Sequence, residues 1–158
     1  MNFQADVANE LARARAKHPT PQVDVYEGYA VLLEEVDEFW DLVKAQKPAM
    51  THVYDELVQI AAMAERMAVE TCSSGQPSFA VKVLEKLSRF RRKYLEPLSG
   101  LHQAYGILSV YVNDLFLVLG TDEEFFALVK IAAFVQRIAE DVLRDRKNYS
   151  PQPVPEAA

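Results

Sequence analysis

Four glutamates have the type and spacing to do chemistry. Glu34, Glu35 and Glu38 fall within five residues, and Glu56 follows Glu38 after a gap of seventeen. On a helix turning about 100° per residue, Glu34 and Glu38 lie about 40° apart and Glu35 and Glu38 about 60° apart, so the three share one side. Clustered glutamates on a helix usually mark a solvated face. Here the neighbours argue otherwise. Glu35 has Val31 and Phe39 one turn to either side, and Glu56 is followed at helical spacing by Ile60, Met63 and Met67. Like charges set into apolar rows repel and are poorly solvated, which is costly unless a cation neutralises them. Oxygen ligands select a hard divalent ion, Mg²⁺ or alternatively Mn²⁺.

The elements that must position these acids are helices. In residues 25–44 the apolar positions Tyr29, Leu32, Leu33, Val36, Trp40 and Val43 recur at helical spacing, not with strand alternation. A second stripe runs through 53–70, and others through 79–93, 101–119 and 123–143, with an earlier helix over about 5–17. Proline, glycine and capping residues separate them at 18–22, 45–50, 71–77, 95–97 and 120–124. Thr121 followed three residues later by Glu124 reads as a capping box opening the last helix. The tail from Asn148 carries three prolines and no apolar period, the composition of a disordered segment.

The chain is also an internal repeat. Residues 11–44 set over 87–120 without a gap align Leu11, Arg13, Arg15, Lys17, Pro21, Tyr29, Leu32 and Val36 with Leu87, Arg89, Arg91, Lys93, Pro97, Tyr105, Leu108 and Val112. After a loop five residues shorter in the second copy, 54–70 falls on 125–141, so that LVQIAA meets LVKIAA and Arg66 meets Arg137. Identities that keep register across helix, break and helix are not chance. The expected fold class is therefore all-α: one domain over 1–147, with repeat one at about 5–70, a linker at 71–78 and repeat two at about 79–146. The two repeats form a helical bundle about a pseudo-twofold axis, like a fused dimer. Residues 148–158 form the disordered tail.

The second copy is an internal control on the acids. Glu34, Glu35, Glu38 and Glu56 correspond to Val110, Tyr111, Asp114 and Ala127. A solvent-facing row would not drift toward apolar and aromatic residues, whereas a pocket that lost its metal and filled with packing would. Residues 11–70 hold eleven acids and six bases, and 80–146 hold nine acids and ten bases. The acidic surplus belongs to the first copy.

The pattern EEVDE at 34–38 followed by Glu56 resembles the E-E-x-x-E and E-x-x-D signature of the all-α nucleoside triphosphate pyrophosphohydrolases, the MazG-like group that also includes the dimeric dUTPases. The resemblance covers most of 24–70 directly and 80–143 through the repeat. It implies Mg²⁺-dependent hydrolysis of a nucleoside triphosphate to a monophosphate and pyrophosphate, in nucleotide-pool control or housecleaning. By matching position it makes Glu35, Glu38 and Glu56 metal ligands, and Glu34 a further ligand or the group orienting the attacking water. The last acid of the signature falls on Gln59, whose amide oxygen could coordinate but which removes a negative charge. The same family often assembles further through helix faces, which makes a homodimer the expected assembly, although fusion lets a single chain suffice.

Other residues add less. Lys17, Arg89, Arg91 and Lys93 are candidates to meet substrate phosphates, set against the plainer reading of soluble helix faces. Trp40 lies within the main apolar stripe and reads as core. The histidines His18, His52 and His102 have no metal-ligand spacing, Cys72 has no nearby histidine, and the absence of a Gly-rich loop excludes a P-loop enzyme. The formal net charge of −6 argues against general nucleic-acid binding. No window is apolar enough to span a membrane, and the lone cysteine with no signal-peptide pattern leads to the expectation of a cytoplasmic protein. Three functions stay open at this level: the hydrolase, a catalytically degenerate relative that binds a nucleotide or a protein partner, and a purely structural helical module.

Overall fold

The computed structural model describes residues 2–73 and 75–146. Among them the chain is all-helical, with α1 (Phe3–Lys17), α2 (Val25–Lys44), α3 (Met50–Thr71), α4 (Phe79–Lys93), α5 (Leu101–Val118) and α6 (Glu124–Arg146). These spans follow the apolar periodicity, with α3 starting at Met50, ahead of the first stripe residue Val53. The tail expected at 148–158 lies outside the described residues.

The centre of the bundle is the pairing of α3 with α6, the most extensive in the molecule. Helices α1 and α2 pack on α3, α4 and α5 pack on α6, and α2 also touches α5. The burial pattern explains the arrangement. On α3 the positions Leu57, Ile60, Ala62, Ala64 and Met67 are all inaccessible and point in several directions around the axis, and Leu128, Ile131, Ala133, Phe134, Val135 and Ala139 are enclosed likewise on α6. A helix apolar on nearly every side has to be enclosed by others, while the amphipathic outer helices present one stripe inward and charges outward.

Local chemistry sets the helix ends. The Asp24 carboxylate accepts the N–H groups of Tyr26 and Glu27, each at 2.9 Å, and starts α2. Gly120 takes the left-handed φ of +75° and ends the turn after α5. The capping box expected there forms differently: α6 begins at Glu124 itself, and the Thr121 hydroxyl accepts the N–H of Glu123 at 3.2 Å. The Glu124 carboxylate accepts the N–H of Gly120 at 2.7 Å and the Thr71 hydroxyl at 2.8 Å. It is drawn inward because it also ties the C-terminal end of α3 to the start of α6, and it is only 2% exposed.

Two buried arginines lock the outer helices. Arg66 pairs with Glu70 at 3.1 Å and donates to the carbonyls of His18 and Thr20 at 3.0 and 3.1 Å. The Glu70 carboxylate accepts the N–H of Gln22 at 3.0 Å. In the other half Arg137 donates to the Tyr94 carbonyl at 3.0 Å and pairs with Asp141 at 3.5 Å, and Asp141 accepts the N–H of Leu98 at 3.1 Å. Arg66 thereby satisfies the C-cap carbonyl of α1 and one in the loop beyond it, and Arg137 the C-cap carbonyl of α4. Trp40 is half-buried and stacks on Tyr105 with ring centroids 4.4 Å apart, joining α2 to α5 as packing.

Candidate metal centre

Helices α2 and α3 bring three of the four predicted acids together. Glu35 and Glu38 lie on successive turns of α2, and Glu56 faces them from the start of α3. Each of the three offers a carboxylate oxygen, and these oxygens all lie within 4.8 Å of one another. Glu35 and Glu56 are half-buried and Glu38 is exposed. One oxygen of Glu35 and one of Glu56 are sheltered from solvent and have no hydrogen-bond partner among the described residues. Sheltered, unpartnered carboxylate oxygens are unfavourable in a folded protein, and several converging at this spacing suit a hard cation with oxygen ligands.

The electrostatics agree. Burial, with repulsion from Glu38, Glu34 and Glu10 partly offset by Arg13, pushes the Glu35 carboxyl up to about 7. Burial and the charges of Glu38, Glu35, Asp55 and Glu10 push Glu56 up to about 7 as well. Glu35 and Glu56 resist ionising because they are sheltered and face other carboxylates, and a divalent cation is the group that would reverse this.

A cleft of about 630 Å³ opens beside the acids, lined by Glu34, Glu35, Glu38 and Gln59 on one side and by Glu10, Arg13 and Lys17 of α1 on the other. Its size is that of a small-molecule site. Glu34 is exposed at the rim and outside the close trio. Gln59 also lines a neighbouring cavity of about 610 Å³ between α1 and α3, with Asp6, Glu10, Tyr54 and Asp55.

The basic candidates divide. Lys17 lines the acidic cleft, whereas Arg89 and Lys93 line a separate cavity between α4, α5 and α6. Arg91 faces α6 and pairs with Glu140. Glu10 escaped the sequence reading: it grips Arg13 through two hydrogen bonds of 2.8 and 2.6 Å and adds to the negative field at Glu35 and Glu56. Its only sequence signal is its register, three residues before Arg13. Cys72 is half-buried beside Glu124, and burial followed by that carboxylate pushes the thiol up to about 12, the opposite of an activated nucleophile.

No helix of the described residues is long and apolar enough to cross a membrane. No family model, curated protein or solved structure matches the chain.

Proposed function

We propose that the chain is a MazG-like all-α nucleoside triphosphate pyrophosphohydrolase, built from two tandem repeats about a pseudo-twofold axis, with its active site in the first. The observation that carries this reading is the meeting of Glu35, Glu38 and Glu56, with two sheltered oxygens lacking partners, at the edge of a cleft that also offers basic groups. The three glutamates hold Mg²⁺ or Mn²⁺, with the amide oxygen of Gln59 in reach of the same cleft. When bound, such an ion neutralises phosphate charge and lowers the pKa of a water. Glu34, free at the rim, orients the attacking water and accepts its proton. Arg13 and Lys17 face the phosphate chain from α1, with Arg13 kept in place by Glu10. Val31 and Met63 line the same cleft and limit solvent around the reacting centre.

The tandem organisation is supported by contacts that recur in register. Arg66 reaches the His18 carbonyl as Arg137 reaches that of Tyr94, and Glu70 holds the N–H of Gln22 as Asp141 holds that of Leu98. In the repeat's alignment these are corresponding positions throughout.

Gln59 favours a second reading, a degenerate relative that keeps the pocket and binds a nucleotide or a protein partner without turning it over. Incubation with a panel of nucleoside and deoxynucleoside triphosphates and Mg²⁺ or Mn²⁺, with pyrophosphate release measured, separates the two. Pyrophosphate formation that Glu38→Ala abolishes supports the hydrolase. No turnover, with a metal-dependent rise in melting temperature, supports the degenerate relative. Neither turnover nor any thermal response to metal overturns both.

A further inference from the structure

The cavity between α4, α5 and α6 measures about 450 Å³ and is lined by four cationic side chains, Lys86, Arg89 and Lys93 of α4 and Lys130 of α6. Among the described residues no carboxylate lines it. An exposed acid, Asp114, stands at its margin with an oxygen 4.0 Å from the Lys130 ammonium. Phe90 and Tyr111 form an aromatic wall, their rings stacked at 15° with centroids 6.1 Å apart. The Lys86 ammonium lies 5.4 Å from the Phe90 ring, that of Lys93 5.3 Å from Tyr94 and that of Lys130 4.2 Å from Tyr111.

The repeat's register shows what this cavity is. Every one of its nine lining residues aligns with a residue lining the acidic cleft of the first half. Arg89 and Lys93 repeat Arg13 and Lys17, but Lys86 stands for Glu10, Val110 for Glu34, Tyr111 for Glu35 and Lys130 for Gln59. The position is the same and the charge is inverted.

A solvated basic face explains only part of this. Lys93, in the last turn of α4, is favoured by the helix dipole. Lys86 sits mid-helix and Lys130 comes from a different helix, so neither gains from that end. Both are half-buried, and burial together with Lys130, Arg89 and Lys93 holds Lys86 below its ordinary value. Among the described residues Arg89 has no hydrogen bond or ion pair. The rings beneath the ammoniums hold their positions without cancelling their charge. Four converging cations with one acid at the margin are stabilised by an anion of several charges, and concavity favours a compact ligand over a long strand.

We propose that this second cavity binds the phosphate chain of a small polyphosphate, inorganic or nucleotide-borne, directly and without a metal ion.

The test is calorimetric titration of the full chain in EDTA with inorganic triphosphate, with ATP and with a short single-stranded oligonucleotide. Chelation makes the result independent of the hydrolase reading. Triphosphate is expected to bind at one site per chain, and Arg89→Glu with Lys93→Glu, both at exposed positions, should weaken it at least about tenfold, the worth of one charge-assisted hydrogen bond. Arg92→Glu, which removes an equally exposed cation outside the cavity, should leave affinity within about twofold, as expected of a screened surface charge. Lys130→Met keeps the stem over Tyr111 and removes the charge, giving a second variant whose expected effect is again at least about tenfold. ATP binding like triphosphate identifies the phosphate chain as the ligand, and ATP binding more tightly adds the base against the aromatic wall. Absence of binding in EDTA, an unchanged affinity in the cavity variants, or equal weakening by Arg92→Glu overturns the proposal. Preference for the oligonucleotide over both small ligands replaces it with a nucleic-acid site.

Discussion

Glu35 and Glu56 are held near neutrality by their surroundings, and that makes the metal-free protein sensitive to pH. Both carboxyls ionise at about 7 in the folded chain and at the ordinary carboxylate value when unfolded. Between these values the folded state binds more protons, so stability falls as pH rises through the interval. The melting temperature of the protein in EDTA should therefore drop from mildly acidic to mildly alkaline pH, and Glu35→Gln should flatten the profile. On the proposed reading metal and protons compete for the same oxygens, so the thermal shift given by Mg²⁺ should be larger at alkaline than at mildly acidic pH. Glu38→Ala should lower metal affinity by more than the roughly 10–100-fold that outer-shell partners of a metal cost, measured by the same shift. On the proposed reading Gln59→Asp should move metal affinity and any pyrophosphate release upward, since it adds a negative charge to the cleft; an unchanged affinity would show that charge at this position is not limiting.

At the scale of elements, the two buried arginines differ in how well they are satisfied. Arg66 has both Glu70 contacts and two carbonyls, whereas Arg137 has one carbonyl and a looser pairing in which its Nε and one oxygen of Asp141 lack hydrogen bonds among the described residues. Removing one partner of a buried pair costs about 3–5 kcal/mol because the other charge is left behind. Arg66→Ala should approach that loss in denaturant unfolding, and Arg137→Ala should cost less. Gly28 is a second element-scale constraint: a Cβ there would meet Met67 Cγ at 2.9 Å and Gln22 Oε1 at 2.8 Å. Gly28→Ala should therefore cost about 1–3 kcal/mol through overpacking between α2 and α3, despite the gain in helix propensity.

For the molecule as a whole, the pairing of α3 with α6 joins the halves through their most apolar helices. A fragment of residues 1–73 would leave the α6-facing side of α3 uncovered. It should self-associate, as sedimentation would show, and a folded monomeric fragment would contradict this account of the core. The same division separates the charges: carboxylates converge in the cleft of the first half and cations in the matching cavity of the second. On the proposed reading, duplication preserved the concavity and changed what it can hold.

Much of this was legible in the sequence. The helix spans followed from apolar period and breakers, because burying a stripe imposes the same spacing wherever the helix packs. Glu35 and Glu56 are legible as well, because the apolar residues around them imply their partial burial, while the exposed Glu38 is legible from its spacing to Glu34 and Glu35. Tertiary structure decided the rest. It left Glu34 at the rim, brought the unremarked Glu10 to Arg13 and sent Arg91 to Glu140. It also gathered Lys86 and Lys130 from different helices around one aromatic wall. Spacing along one helix specifies a face, but which faces meet depends on packing between helices far apart in the chain. That is why Glu35 and Glu38 on α2 and Glu56 on α3 are each readable from their own helix, whereas the basic cavity shared by three helices is not.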